Sequence, residues 1–168
     1  MAKRSNARSR NPDAIKLLKD DHSEVSALFD KYRKGHKRLS ESQRESLAQE
    51  ICQMLTIHTQ IEEEIFYPAC REHVKGAEEL LAEAKVEHQS AKDLIAKIEE
   101  GSPDGEDYDA EVMVLGEFAK HHIKEEQTEL FPKVRKSGLD LKELGQQLAE
   151  RKSSLMGNEG EESSMAAE

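Results

Sequence analysis

Four histidines and two glutamates stand out by type and spacing: His22, His58 with Glu62 four residues on, His88, and His122 with Glu126 four residues on. A His-x-x-x-Glu pair on a helix presents an imidazole and a carboxylate one turn apart on one face. Such nitrogen and oxygen donors suit iron, manganese, zinc or copper, and a carboxylate can join two ions. Four imidazoles and two carboxylates exceed what one tetrahedral zinc takes, and Cys52 and Cys70 do not form a zinc-finger set. Neither the His-Glu-x-x-His of zinc proteases nor the Glu-x-x-His of ferritin-like bundles occurs.

The donors fall on an internal repeat. His58-Thr-Gln-Ile-Glu62-Glu-Glu-Ile-Phe-Tyr-Pro68 and His122-Ile-Lys-Glu-Glu126-Gln-Thr-Glu-Leu-Phe-Pro132 match in the His, the Glu and the Pro. His22 and His88 match in turn, each preceded by an acid, Asp21 or Glu87. The chain therefore reads as two copies of a helix pair, each giving two His and one Glu, and a two-fold set of donors suggests two metal ions.

The elements that must position these donors follow from cap and stop signals. Asn11-Pro12 opens a first helix running to about Lys34, and Ser40 with Gln43 forms a capping box for a second that reaches about His73 and stops by Gly76. A third runs from about Ala77 to Glu100, closed by Gly-Ser-Pro-Asp-Gly, and a fourth opens near Asp107 or Asp109 and ends by Gly138. Apolar residues step by three and four along each: Ile15, Leu18, Val25, Phe29 and Tyr32; Leu47, Ile51, Leu55 and Ile65; Ala77, Leu81, Ala84, Ala91, Ile95 and Ile98; Val112, Leu115, Ala119 and Leu130. Each seam is interrupted by one of the four histidines. Leu141, Leu144, Leu148 and Leu155 mark a shorter fifth helix over the bundle. Short connections make neighbours antiparallel, so the expected fold is all-α, an up-down-up-down antiparallel four-helix bundle with a short C-terminal fifth helix.

Composition sets the boundaries. The 168 residues allow one domain, and 25 Lys and Arg against 35 Asp and Glu give a net charge of −10, which argues against a nucleic-acid partner. Residues 1–11 carry only basic charges and 157–168 only acidic ones, so both read as disordered tails flanking a bundle over 12–156. No apolar run is long enough for a membrane span and no secretory signal opens the chain, so the expectation is a cytoplasmic monomer or dimer without a membrane partner. Cys52 reads as a buried small residue, and Cys70, just after Pro68, as more exposed. His36, His73 and His121 read as solvent or packing residues. Glu63, Glu64, Glu125 and Glu129 read as solvated, with one of them a potential extra donor.

His22, His58 with Glu62, His88 and His122 with Glu126, together with the Phe-Tyr-Pro and Leu-Phe-Pro endings, resemble the hemerythrin-like, HHE cation-binding family over about residues 12–135. The resemblance implies two non-haem iron ions bridged by Glu62, Glu126 and an oxo or hydroxo group, with zinc or manganese as alternative metals. It also implies small ligands, dioxygen, nitric oxide or peroxide, at an open iron position. Oxygen-carrying members have a second histidine one turn away on the third helix, where this chain has Ala84 and Lys92. That departure points away from reversible oxygen carriage, toward redox sensing, peroxide chemistry or iron handling. The alternatives are a catalase-like enzyme, although no separate general acid, nucleophile or substrate cleft is legible, and a metal-free structural bundle.

Overall fold

The structure, a computed structural model, describes residues 12–165, with side chains through Gly157. The described residues contain helices and no strand. They form α1 (Ala14–Gly35), α2 (Glu41–Ile61), α3 (Tyr67–His73), α4 (Glu78–Glu100), α5 (Tyr108–Glu125), α6 (Phe131–Lys136) and α7 (Leu141–Met165). Two π-helical turns, Glu62–Phe66 and Glu126–Leu130, join α2 to α3 and α5 to α6, making continuous rods over 41–73 and 108–136.

Local chemistry accounts for most boundaries. Both halves of the Ser40–Gln43 capping box form. Gly76 and Gly138 adopt positive φ, 73° and 80°, where a residue with a Cβ would be strained, and the two rods end just before them. The first helix opens on Asp13 rather than on Asn11: the Asp13 carboxylate accepts the Lys16 backbone N–H at 2.8 Å. The fifth helix is a larger departure from expectation, because α7 spans 25 residues and its backbone runs through the acidic stretch to Met165. No proline interrupts that stretch, and glycine alone weakens a helix without ending it. The expected basic tail over 1–11 lies outside the described residues.

Helix α1 packs on α2 and α5, and α4 packs on the same two, closing a ring of four, while α7 lies over α1 and α2. The seam residues face inward as their spacing requires, in two apolar clusters. One gathers Leu18, Ile61, Leu81, Ala84 and Leu130 with Leu144 and Leu148 of α7. The other gathers Val25, Phe29, Leu55, Ile95, Leu115 and Ala119. The four histidines sit between them. Both cysteines are buried and free, Cys70 at 0% exposure, contrary to the more exposed position expected after Pro68. Burial pushes both thiols up to about 12, so they stay protonated and inert.

One polar tie crosses the second cluster. Tyr32 donates its hydroxyl to Asp109 Oδ1 at 2.5 Å, and Arg44 Nη1 donates to both oxygens of the same carboxylate at 2.8 and 2.9 Å, linking α1, α2 and α5. Burial alone would raise the Asp109 pKa, but Tyr32 and Arg44 outweigh it and hold the carboxyl below its ordinary value. The stabilisation is therefore present above about pH 4 and lost as pH falls below it. Asp109→Ala strands a buried hydroxyl and a guanidinium, so chemical denaturation should show a loss of about 2–3 kcal/mol at neutral pH, shrinking in acid. An unchanged unfolding midpoint would show that the tie contributes nothing.

Candidate metal centre

All six sequence-predicted donors are buried and meet in the middle of the ring. Donor atoms of His22, His58, Glu62 and Glu126 lie within 4.8 Å of one another, as do those of Glu62, His88 and His122. The two groups share Glu62: its Oε1 lies 3.0 Å from His58 Nε2, and its Oε2 lies 3.2 Å from His88 Nε2. Glu126 likewise spans both, with Oε2 at 3.1 Å from His22 Nε2 and 3.6 Å from His122 Nε2.

The fit to a cation rests on what these atoms lack. His22 Nε2, His58 Nε2, Glu62 Oε1 and Glu126 Oε2 are buried and have no hydrogen-bond partner, because the close pairs among them are out of line for a hydrogen bond. Each stranded polar atom costs about 1–3 kcal/mol, so four in one place ask for a common partner. A cation at their convergence satisfies all of them at once.

A second layer of acids orients the imidazoles. His58 Nδ1 donates to Asp21 at 3.1 Å, His88 Nδ1 to Glu63 at 2.9 Å and His122 Nδ1 to Glu87 at 2.7 Å. These bonds turn each Nε2 inward, the arrangement that raises the basicity of a metal-binding imidazole. The acids are held in their turn, Asp21 by Lys152 of α7 at 2.5 Å and Glu63 by Lys92 at 2.6 Å. The pairing follows the repeat: the acid before one histidine serves the partner helix, and the residue after each central glutamate serves the other pair. The exception is His22, whose Nδ1 faces the Gln127 amide nitrogen at 3.0 Å instead of an acid.

Burial opposes charging these rings, yet the surrounding carboxylates win. Glu62 and Asp21 hold His58 up at about 10, and Glu126 and Glu87 hold His122 up at about 9. Glu62, opposed by its own burial, is held well below the ordinary range by His58 and His88. The carboxylates thus favour positive charge at the centre.

Tyr67 joins the site unforeseen. Its hydroxyl donates to Glu126 Oε1 at 2.8 Å and lies 3.3 Å from Glu62 Oε2, His88 Nε2 and His122 Nε2. In an α-helix, residues five apart point about 140° away from one another. The π-helical turn changes this, because the Tyr67 N–H bonds the Glu62 carbonyl five residues back and brings the two side chains onto one face. Pro68 marks the turn: in an unbroken α-helix its ring would collide with the Glu64 carbonyl. The second copy repeats the turn before Pro132 but carries Phe131, which stacks on His22 at 5.8 Å. The space beside His88 and His122 is thus served by Tyr67 of α3, and neither residue one turn from His88 enters it. Ala84 stays in the apolar cluster, and Lys92 pairs with Glu63.

The remaining polar candidates lie outside the centre. His36 stacks on Tyr32 at 6.2 Å, and His73 and His121 are exposed. Glu64 pairs with Arg151 of α7 at 2.6 Å, while Glu63 acts on His88 Nδ1 and not at the centre itself. Above the histidines lies a cavity of about 30 Å³, walled by Val25, Leu55, Ala91, Phe118, Ala119 and Ile123 and almost wholly apolar.

Fold and donor set together define a helical protein with a buried His/Glu cluster suited to a cation. The chain belongs to the hemerythrin HHE cation-binding domain family, whose model matches residues 13–134. Among solved structures it is similar to a hemerythrin HHE cation-binding domain-containing protein from Mycobacterium kansasii, at 24% identity, 88% coverage of this chain, 89% of that one, and a TM-score of 0.72. Comparison with curated proteins finds no significant match.

The oriented imidazoles yield a direct expectation. Asp21→Asn removes the charge behind His58, so affinity for a divalent transition-metal ion in chelator competition should fall about 10- to 100-fold. Unchanged affinity would mean that Asp21 serves only packing.

Proposed function

We propose that the chain holds two iron ions, one on His22 and His58 and one on His88 and His122, with Glu62 and Glu126 contributing to both. The observation that carries this reading is the pair of buried donor groups that share Glu62, the hydrogen-bond-free atoms of His22, His58, Glu62 and Glu126 for one ion and the donor atoms of Glu62, His88 and His122 for the other. When bound, the ions supply open coordination and redox chemistry for a small ligand. The apolar cavity over the imidazoles has room for one water-sized molecule, which favours dioxygen, nitric oxide or peroxide over any larger substrate. We read the protein as a binder or sensor of such molecules, or a handler of iron, on an up-down-up-down bundle over residues 12–156. Zinc and manganese are the competing metals for the same donors. No helix among the described residues is long and apolar enough to cross a membrane.

Tyr67 favours a second reading, a peroxide- or oxygen-reducing enzyme. Burial and the carboxylates of Glu126 and Glu62 hold its hydroxyl well above the ordinary phenol range, so it keeps a proton at the edge of the centre. In this reading the Tyr67 hydroxyl serves as a hydrogen-bond donor toward an oxygen ligand at the centre, a role the linear pattern does not show.

Iron(II)-loaded protein should change its optical spectrum on adding nitric oxide or dioxygen, and His58→Ala should abolish the change. Peroxide decomposition by the loaded wild type, reduced at least tenfold in Tyr67→Phe at unchanged iron content, selects the enzyme. A loaded protein indifferent to all three molecules would overturn the binder, sensor and enzyme readings and leave iron handling.

A further inference from the structure

The acids behind His58 and His122 are equivalent in the repeat, yet their outer oxygens meet different groups. Asp21 gives one oxygen to His58 and the other to the Lys152 ammonium of α7 at 2.5 Å. Glu87 gives one oxygen to His122 and turns the other toward His121 Nε2 at 3.3 Å. Glu125, one turn along from His121, brings a carboxylate oxygen to 3.7 Å from the same nitrogen. His121 and Glu125 thus form a second His-x-x-x-Glu pair on α5, one residue out of step with His122 and Glu126. Their counterparts in the first half are Ile57 and Ile61, both buried. Where the first half seats a lysine ammonium on the acid, the second therefore offers an imidazole and a further carboxylate.

The three side chains place one donor atom each within 4.8 Å of one another. Two donors about 2.1 Å from one ion stand roughly 3.0–4.2 Å apart, so the 3.3 and 3.7 Å separations suit a first-row divalent ion. His121 is 63% exposed, while Glu87 and Glu125 are about three-quarters covered, so the group opens to solvent on one side. On the other, a cavity of about 10 Å³ is lined by Glu87 and Glu125, by His122 and Glu126 of the buried centre, and by the apolar side chains of Leu80, Ala84 and Leu130. Glu87 touches both places at once.

We propose that His121, Glu87 and Glu125 form a surface site for a divalent transition-metal ion, through which iron(II) reaches the buried centre. The delivery role rests on the reading of that centre as an iron site; the surface site stands on its own donors.

The test uses the full chain without oxygen. Metal-free protein is mixed with two equivalents of iron(II) and free iron is followed with time; the iron-treated protein is then titrated with manganese(II), read by electron paramagnetic resonance. His121→Ala and Glu125→Gln, both at the surface, should each slow uptake at least fivefold while reaching the wild-type iron content, and should abolish one bound manganese(II). Wild-type uptake rates in both variants, or manganese(II) binding indifferent to them, would overturn the proposal. Failure of the buried-centre reading looks different: wild-type protein takes up no iron yet retains the manganese(II) ion, which upholds the surface site and removes its delivery role.

Discussion

Glu62 and Glu126 lie at the centre of the ring at 0% and 3% exposure, where a carboxylate without a compensating charge costs several kcal/mol. Much of the surrounding structure answers that constraint. Four imidazoles face the two carboxylates, three are held by outer acids, and two of those acids are themselves balanced by Lys152 and Lys92. Charge alternates outward in shells from acid to imidazole to acid to lysine. The shells still leave four inner atoms without a hydrogen bond, and that deficit makes the centre a place for cations rather than a closed polar core.

The two halves repeat in architecture but not in chemistry. Tyr67 reaches Glu126 in one half where Phe131 stacks on His22 in the other. Glu63 fixes His88 with a charge, whereas Gln127 faces His22 with its amide nitrogen, a neutral donor. The His88–His122 side thus carries a phenol hydroxyl where the His22–His58 side carries a phenyl ring. Helix α7 adds a third difference by packing chiefly on the α1–α2 side, where Lys152 and Arg151 reach Asp21 and Glu64. Two ions in this centre would meet unequal surroundings, which suits chemistry at one of them with support from the other.

Periodicity made the six central donors, their shared face and the helix boundaries near Ser40, Gly76 and Gly138 legible, because each depends on spacing of three or four or on a residue with a special backbone preference. Tyr67 was hidden for the same reason: five-residue spacing is off-face in an α-helix, and only the π-helical turn before Pro68 brings it back. Pro68 and Pro132 were visible as a repeat, but their effect on the preceding turn was not. The outer acids could be listed and not assigned, since Asp21 serves His58 across the bundle and not its neighbour His22. The length of α7 was misjudged because the acidic composition of the last segment resembles that of a solvated tail.

In the proposed function Glu62 and Glu126 join the donors into one coupled centre for two ions. Metal analysis of the iron(II)-loaded protein beside its His122→Ala variant tests it most directly, with thermal melting to confirm that both are folded. The account predicts about two irons per chain in the wild type, a raised melting temperature on loading because the unfolded chain has no preformed site, and loss of both ions from the single substitution. A folded wild-type chain that takes up no metal, with a melting temperature indifferent to iron, would contradict it.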